Sequence, residues 1–198
     1  MLSLIQAAGW PVWFLLICSI IGLALIIERA ISLRSAKILP SGLRHQAYEL
    51  AAHASINTEH LQRLAKHSTL GQLYAVLLDH KDDPAAVRQQ ATEEVGAFIH
   101  LQLTRYLPAL GTVAVIAPLL GLFGTVIGMI ELFSAYSPQG SDPALLANGI
   151  AMALYNTGFG IAIAVPALIA HRYYRSKANA LLTQLEIESS RLNRFLSQ

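Results

Sequence analysis

Three stretches of the chain carry no Asp, Glu, Lys or Arg, namely residues 11–27, 107–130 and 143–170. Each is close to or longer than the roughly 20 residues that a helix needs to cross about 30 Å of hydrocarbon. Charged residues make up only 13% of the chain, whereas a soluble domain usually carries about 25%. We therefore predict an all-α integral membrane protein with three transmembrane helices, of which the second and third extend into the cytoplasm.

The basic residues predict how these helices are oriented. No Lys or Arg precedes Arg29, and none lies between residues 137 and 142. Basic residues instead follow the first and third runs and precede the second. Cytoplasmic loops carry the excess of Lys and Arg, so the N-terminus is predicted outside and the C-terminus inside. The net charge of +2 then reflects membrane topology and does not indicate nucleic-acid binding.

The three uncharged runs and the positions of the basic residues together divide the chain into seven predicted segments. These are an external N-terminus (1–9), transmembrane helix 1 (10–33), a cytoplasmic helical segment (34–106), transmembrane helix 2 (107–135), an external loop (136–143), transmembrane helix 3 (144–170) and a cytoplasmic C-terminal helix (171–198). A secretory signal peptide is the alternative for the first run. That run lacks a basic n-region and is long for an h-region, so a transmembrane helix is the favoured interpretation.

Local signals predict where two cytoplasmic helices begin. Asn57 or Thr58 can cap the first. Asp83 can accept the free N–H groups of the second, whose first residue would be Pro84.

The pattern also predicts two helices that run past the membrane. One begins at Pro84 and continues to about residue 135, bent at Pro108 and Pro118, which each remove a backbone donor. The other continues beyond the third run as a heptad seam, which predicts helix-on-helix packing. The seam consists of Ala178, Leu182, Leu185, Ser189, Leu192 and Leu196.

Small and polar residues interrupt the second and third runs. Gly121, Thr125 and Gly128 share one helical face, and Gly124 forms a small-xxx-small pair with Gly128, which allows close helix approach in lipid. The third run carries a matching stripe of Gly149, Ala153, Asn156, Thr157, Gly160 and Ala164. The stripes are either packing faces alone or, since polar residues at mid-membrane usually face a bundle interior or a water path, part of an ion route.

These residues carry a resemblance to a known family. "APLLGLFGTVIGMIELF" (117–133) and "GIAMALYNTGFGIAIAVPALIAHRYY" (149–174) resemble the two signature helices of the MotA/TolQ/ExbB proton-channel family. The chain is most similar to the ExbB/TolQ branch, because it is short and lacks the insertions specific to MotA. The order of a first span, a large cytoplasmic segment and a tight hairpin of spans also matches.

The resemblance implies a ring-forming subunit of an ion-driven inner-membrane motor with a periplasmic N-terminus, with protons favoured over sodium as the driving ion. Such subunits form a homopentamer around a dimer of ExbD-like or TolR-like single-span proteins that carry an intramembrane Asp. A TonB-like or TolA-like protein and membrane lipids complete the implied partners. The work done would be energised transport or envelope maintenance. The pore-facing threonines of the family map onto Thr125 and Thr157, with Asn156 nearby.

One position departs from the family pattern. Where many relatives carry a glutamate in the third span, this chain has Met152. Glu28 and Glu131 lie toward the ends of their spans, so the hydrocarbon core is predicted to hold no carboxylate of this chain. Glu131 and Met152 are the candidate access or gating positions. The alternative hypothesis is a non-conducting scaffold that gathers partner helices.

No motif of enzyme chemistry is found. The sequence has no Gly-rich phosphate loop, catalytic triad or zinc-ligand spacing, so no enzymatic activity, cofactor or metal is predicted. His53, His60 and His67 recur every seven residues, about 10.5 Å along a helix. That is too far for neighbours to share one ion, and we expect them to be surface residues.

Overall fold

The computed structural model describes residues 9–52, 57–134 and 143–197. Within these ranges the chain forms helices and no strand. The helices are α1 (Val12–Ser32), α2 (Ser35–Ile38), α3 (Leu43–Ala52), α4 (Thr58–His67), α5 (Thr69–Asp79), α6 (Ala85–Thr104), α7 (Leu107–Ser134) and α8 (Pro143–Phe195). The prediction of an all-α protein is confirmed for this part of the chain.

The described residues divide into two compact units. The first, called here the spanning unit, holds the residues up to Glu28 and those within Tyr106–Tyr173. The second, called here the small-helix unit, holds Arg29–Arg105 and the residues from Tyr174 onward. Helix α8 contributes its first part to one unit and its last part to the other.

Three helical stretches are long and apolar enough to cross a membrane: α1, the stretch from α6 through α7, and α8. Their outward side chains are large and apolar. Trp13 is 61% exposed, Leu119 58% and Leu154 68%. Such exposure would be unfavourable in water, and it fits a surface solvated by lipid tails.

The single helix predicted from Pro84 to about residue 135 is interrupted. Helix α6 ends at Thr104 and α7 begins at Leu107. Pro108 has no N–H to donate to the carbonyl of Thr104, so the backbone ladder breaks just before it. Pro118 lies inside α7 and does not end it.

The end of α6 is capped from a distant part of the small-helix unit. The Arg29 side chain is 2% exposed, and its Nη1 donates a hydrogen bond to the carbonyl of Leu103 at 3.1 Å. A helix leaves its last carbonyls without backbone donors, and a buried arginine satisfies one of them here.

The two predicted helix starts have different outcomes. Asn57 caps α4, since its side chain accepts a hydrogen bond from the backbone N–H of Glu59 at 3.1 Å, as predicted. The prediction of a cap at Asp83 is wrong. Helix α6 begins at Ala85 with Pro84 at the N-cap, and the Asp83 carboxylate instead accepts from Nδ1 of His80 at 2.7 Å.

The predicted heptad seam at the end of α8 is a packing face. Ala178, Leu185, Ser189 and Leu192 are buried, while Leu182 and Leu196 are half-buried. Leu73 of α5 and Ile99 of α6 line the same cleft as Leu182 and Leu185. The prediction of helix-on-helix packing is therefore confirmed.

A buried carboxylate ties the small-helix unit together. Glu188 on the α8 seam side accepts two hydrogen bonds from Arg44, at 2.8 and 2.5 Å, and one from Arg191 at 2.7 Å. The hydroxyl of Tyr74, which is fully buried, donates to the same carboxylate at 3.1 Å. Burial, followed by the negative charge of Glu188, raises the pKa of Tyr74.

Candidate functional site

Helices α7 and α8 meet along a seam of glycines in the spanning unit. A Cβ on Gly121 would lie 2.8 Å from the carbonyl oxygen of Asn156, and a Cβ on Gly160 would lie 2.7 Å from that of Ala117. A Cβ on Gly124 would lie 2.6 Å from the side chain of Asn156. These separations are shorter than carbon atoms tolerate, so only glycine allows the two backbones to come this close.

At the two remaining glycines of the predicted stripes, Gly128 and Gly149, the atom nearest to an added Cβ belongs to a side chain of the facing helix. A Cβ on Gly128 would be 3.4 Å from Sδ of Met152, an ordinary contact. A Cβ on Gly149 would overlap the side chain of Leu132, which is flexible. The five glycines thus serve the hairpin within one chain, whereas the sequence pattern did not distinguish that role from contacts between chains.

Asn156 lies inside the seam. It is fully buried, its amide packs against Gly124, and its Nδ2 donates to the carbonyl of Met152 at 3.2 Å. A polar side chain in this position is held by its own helix and by the glycine that makes room for it.

Thr125 and Thr157 lie at the edge of the seam. Each directly follows a seam residue in sequence, Gly124 and Asn156, so each is rotated by about 100° in the same sense when viewed along its own helix. The two helices run antiparallel, since Gly121 faces Gly160 and Gly128 faces Ala153. The same rotation therefore brings both threonines to the same side of the hairpin.

The two threonines also lie at similar depth. The backbone of Thr157 is 3.2 Å from the position of a Cβ on Gly121, and Thr125 follows Gly121 by one helical turn. The offset along the hairpin is therefore about 5 Å. Thr125 donates a hydrogen bond from Oγ1 to the carbonyl of Leu122 at 2.6 Å.

Helix α1 covers the opposite side of the hairpin. A Cβ on Gly22 of α1 would be 3.1 Å from Val113 of α7, and Ile163 of α8 lines a cleft with α1. Val113 lies about 120° around α7 from Thr125, and Ile163 lies about 120° around α8 from Thr157.

The side that carries the threonines is uncovered as far as the described residues reach. Its apolar neighbours are exposed: Leu122 at 57%, Leu154 at 68% and Ile161 at 51%. We call this surface the threonine groove, defined by Thr125 and Thr157 with those three residues beside them. It is a hydroxyl-bearing strip in an otherwise apolar wall.

The two predicted access positions do not join the threonine groove. Glu131 is exposed in the last turns of α7, about 120° around the helix from Thr125. Met152 is half-buried, with Sδ near both Gly9 and Gly128, where it fills space in the hairpin. The roles of Glu131 and Met152 in access or gating remain predictions, because neither side chain lies in the threonine groove.

No metal centre is found among the residues that the structure describes, which contain no cluster of three or more His, Cys, Asp or Glu side chains. His60 and His67 are exposed, as expected. His53 lies outside the described residues.

Sequence reasoning missed one polar contact at the far end of the hairpin. Nδ1 of His171 on α8 lies 2.8 Å from the carbonyl oxygen of Leu107 on α7. The ring occupies the space beside Gly111, where a Cβ would be 3.0 Å from its Cε1. Spacing in the sequence could have indicated this contact. His171 follows Thr157 by 14 residues and Gly111 precedes Thr125 by 14, and 14 residues are about four full helical turns.

Fold and site together define a three-span helical membrane protein, with a glycine-packed hairpin and a hydroxyl-bearing groove that its own first helix leaves open. Known proteins agree with this class. The sequence model of the MotA/TolQ/ExbB proton channel family matches residues 48–187. The chain therefore belongs to the MotA/TolQ/ExbB proton channel family.

Curated relatives fall in the ExbB and TolQ branch. The biopolymer transport protein exbB1 of Vibrio cholerae is 34% identical over 96% of this chain and 86% of that protein. The Tol-Pal system protein TolQ of Haemophilus influenzae is 42% identical over 40% of this chain. A putative ExbB homolog of Methanothermobacter thermautotrophicus is 34% identical over 50% of this chain. The match spans only 35% of the length of each of the latter two proteins.

Proposed function

We propose that this chain is the ring-forming subunit of a proton-driven motor in the inner membrane, and that the threonine groove is its ion path. The single observation that carries the proposal is the groove itself. Two hydroxyls lie at similar depth on a side that α1 does not cover, within helices that are long and apolar enough to cross a membrane. Family membership supports the same assignment.

The groove supplies hydroxyls and no titratable group. Residues 107–130 and 143–170 contain no Asp, Glu, Lys, Arg or His, and threonine does not titrate at ordinary pH. A proton carrier must therefore come from another chain. We assign that part to an aspartate of an ExbD-like or TolR-like single-span partner, which would be a dimer inside a homopentamer of this chain.

The hydroxyls suit a protonated guest. Because Oγ1 of Thr125 already donates its proton to Leu122, its lone pairs face any guest in the groove as acceptors. A protonated carboxylic acid can donate to them, whereas a carboxylate cannot. A hydrogen bond to the neutral form favours that form, so the groove would stabilise the guest acid while it carries its proton.

The energy available is adequate for a mechanical step. One charge moving down a potential of 100 mV releases about 2.3 kcal/mol, enough to bias a two-state element separated by a few kcal/mol. The work would reach the periplasm or outer membrane through a TonB-like or TolA-like protein, as energised transport or envelope maintenance. The names of two relatives, biopolymer transport protein and Tol-Pal system protein, support the proposal of energised transport or envelope maintenance.

The proposed orientation follows from charge. With Arg29 and Arg105 on one side of the membrane and no basic residue between 137 and 142, the positive-inside rule places the N-terminus in the periplasm. The small-helix unit and the end of α8 would then be cytoplasmic. Protease protection in inverted and right-side-out vesicles tests this directly, and cleavage of the small-helix unit from outside would reverse the assignment.

The test of the ion path is proton flux through the complex purified by way of this chain and reconstituted in liposomes. Thr125→Val and Thr157→Val should each abolish voltage-driven flux while the complex stays assembled, because the acceptor oxygen is lost at nearly constant volume. Thr125→Ser should retain flux and its pH profile.

Thr112→Val is the matched control on the same helix. Thr112 also donates to its own backbone, with Oγ1 3.0 Å from the carbonyl of Pro108, but it lies about 140° around α7 from Thr125. Full flux in both groove variants, or equal loss in the control, would sink the assignment.

The alternative function is a non-conducting scaffold, which Met152 favours because a side chain that cannot titrate occupies a position where many relatives carry glutamate. A scaffold would tolerate both groove valines. It would fail only when the seam is disrupted, for example by Gly121→Leu.

A further inference from the structure

The contact between His171 and Leu107 fixes which ring nitrogen carries a proton. A backbone carbonyl only accepts hydrogen bonds, so Nδ1 of His171 must donate to Leu107. In the neutral ring the other nitrogen, Nε2, then carries the lone pair. Among the described residues Nε2 has no hydrogen-bond partner, which leaves it available to bind a proton.

The ring is held in place whatever its charge. Protonation adds a proton at Nε2 and leaves the Nδ1–H donor to Leu107 intact. Gly111 contributes to the same fit, since a Cβ there would lie 3.0 to 3.4 Å from three ring atoms. The histidine can therefore gain and lose a proton without losing its anchor to α7.

His171 lies on the same side of the hairpin as the threonine groove. A shift of 14 residues advances a helix by about 21 Å and rotates it by only about 40°. His171 is 14 residues beyond Thr157, and Gly111 is 14 residues before Thr125. The pair of His171 and Gly111 is thus the continuation of the groove, about 21 Å closer to the predicted cytoplasmic face.

The ionisable side chains around His171 come from three helices. Helix α1, which packs against α7 at Gly22, carries Glu28 near its end. Helix α7 has no ionisable side chain from Leu107 to residue 130, and Tyr106 directly precedes it. On α8 the ionisable neighbours are Arg172, Arg175 and two tyrosines, Tyr173 and Tyr174. Arginine keeps its charge and tyrosine stays neutral until about pH 10, whereas histidine changes charge between about pH 5 and 8.

We propose that His171 is the proton-exchange residue at the cytoplasmic end of the path, a role that rests on the proposed function of the threonine groove. When the partner's acid releases its proton to water at the end of the groove, the hydronium ion that forms transfers this proton to Nε2, which gives water and an imidazolium ring. The imidazolium then transfers the same proton to a cytoplasmic water molecule and returns to the neutral ring. No atom or charge is lost in either step.

Two substitutions separate this role from a structural one. His171→Asn keeps an N–H near the position of Nδ1, so it can retain the hydrogen bond to Leu107, but it cannot titrate. His171→Phe fills similar space and loses both the hydrogen bond and the titration. Assembly of each variant is checked by native mass spectrometry of the complex purified through this chain.

The readout is voltage-driven proton flux in liposomes, with equal pH on both sides and a potential set by potassium and valinomycin. The wild-type complex should show a rate that varies between about pH 5 and 8. His171→Asn should lower that rate by about a hundredfold or more and flatten its pH dependence. His171→Phe should match or exceed that loss.

The outcomes separate the two proposals. If the wild type conducts, Thr157→Val does not, and His171→Asn keeps both wild-type rate and pH profile, the histidine is structural and this inference is overturned while the ion path stands. If His171→Asn conducts normally and only His171→Phe fails, the hydrogen bond alone matters, which also overturns it. If the wild type carries no flux, both proposals fall.

Discussion

Replacing Gly160 by alanine tests the closest approach to a backbone atom between α7 and α8. The added Cβ would lie 2.7 Å from the carbonyl oxygen of Ala117, a backbone atom that cannot rotate out of the way, whereas ordinary contacts begin at 3.4 Å. The helices would have to separate by about 0.7 Å. A radial gap of 0.5 to 1 Å forfeits about a quarter to a half of each dispersion contact, and the loss would extend along the seam.

Two other glycines make a graded series with Gly160. A Cβ on Gly158 meets nothing within 4 Å, and one on Gly128 meets Met152 at 3.4 Å. Alanine is intrinsically better than glycine in a helix by about 1 kcal/mol, so Gly158→Ala should be neutral or stabilising and Gly128→Ala close to neutral. Gly160→Ala should destabilise by about 1–3 kcal/mol, the usual cost of overpacking.

The assay is thermal unfolding of the purified complex in detergent, followed by the fluorescence of Trp10 and Trp13. Both tryptophans lie at the start of the spanning unit, so they report on it. We expect the melting temperature to fall in the order Gly158→Ala, Gly128→Ala, Gly160→Ala. Equal melting temperatures for Gly158→Ala and Gly160→Ala would refute the argument that glycine is required by close approach.

Three further predictions concern the small-helix unit. Glu188→Gln should lower its stability by about 1–3 kcal/mol, because the buried Tyr74 and two arginines lose a charged acceptor; the check is the melting temperature, and an unchanged value contradicts it. Since burial and Glu188 raise the pKa of Tyr74 above the ordinary 10.0, the unfolded chain ionises first. The contribution of Tyr74 to stability should therefore be constant below about pH 10 and fall as pH rises above it, and Tyr74→Phe should remove that part of the alkaline slope. Arg29→Met should cost about 1–3 kcal/mol by leaving the carbonyl of Leu103 without this donor; faster hydrogen exchange confined to the last turn of α6 is the expected sign, and unchanged exchange there would contradict it.

Features that depend on neighbours in sequence could be predicted. The uncharged runs predict the spanning helices, and the Asn57 cap and the heptad seam depend on spacings of two to seven residues. Each of these is local or periodic, so composition and helical period suffice. The Asp83 prediction failed for a local reason, because His80, three residues earlier, competes for the same carboxylate.

Features that depend on distant residues could not be predicted. Arg44 and Glu188 are 144 positions apart, Arg29 and Leu103 are 74 apart, and His171 and Leu107 are 64 apart. No periodic pattern links such pairs, because their proximity is set by how the helices pack. Which side of the hairpin α1 covers also depends on how the helices pack, so it could not be predicted from the sequence. That choice determines which surface of the hairpin is left open.

The seam and the threonine groove have opposite physical requirements, and the sequence satisfies both within single helical turns. The seam must be rigid, so glycines bring two backbones into contact and Asn156 is fully buried between them. The groove must accept a guest that enters and leaves, so its hydroxyls stay at the edge of that contact. Because Thr125 follows Gly124 and Thr157 follows Asn156, any movement of a threonine requires movement of the seam contact between Gly124 and Asn156. The hydroxyls are therefore fixed in position by the seam, and motion during a cycle is left to the guest.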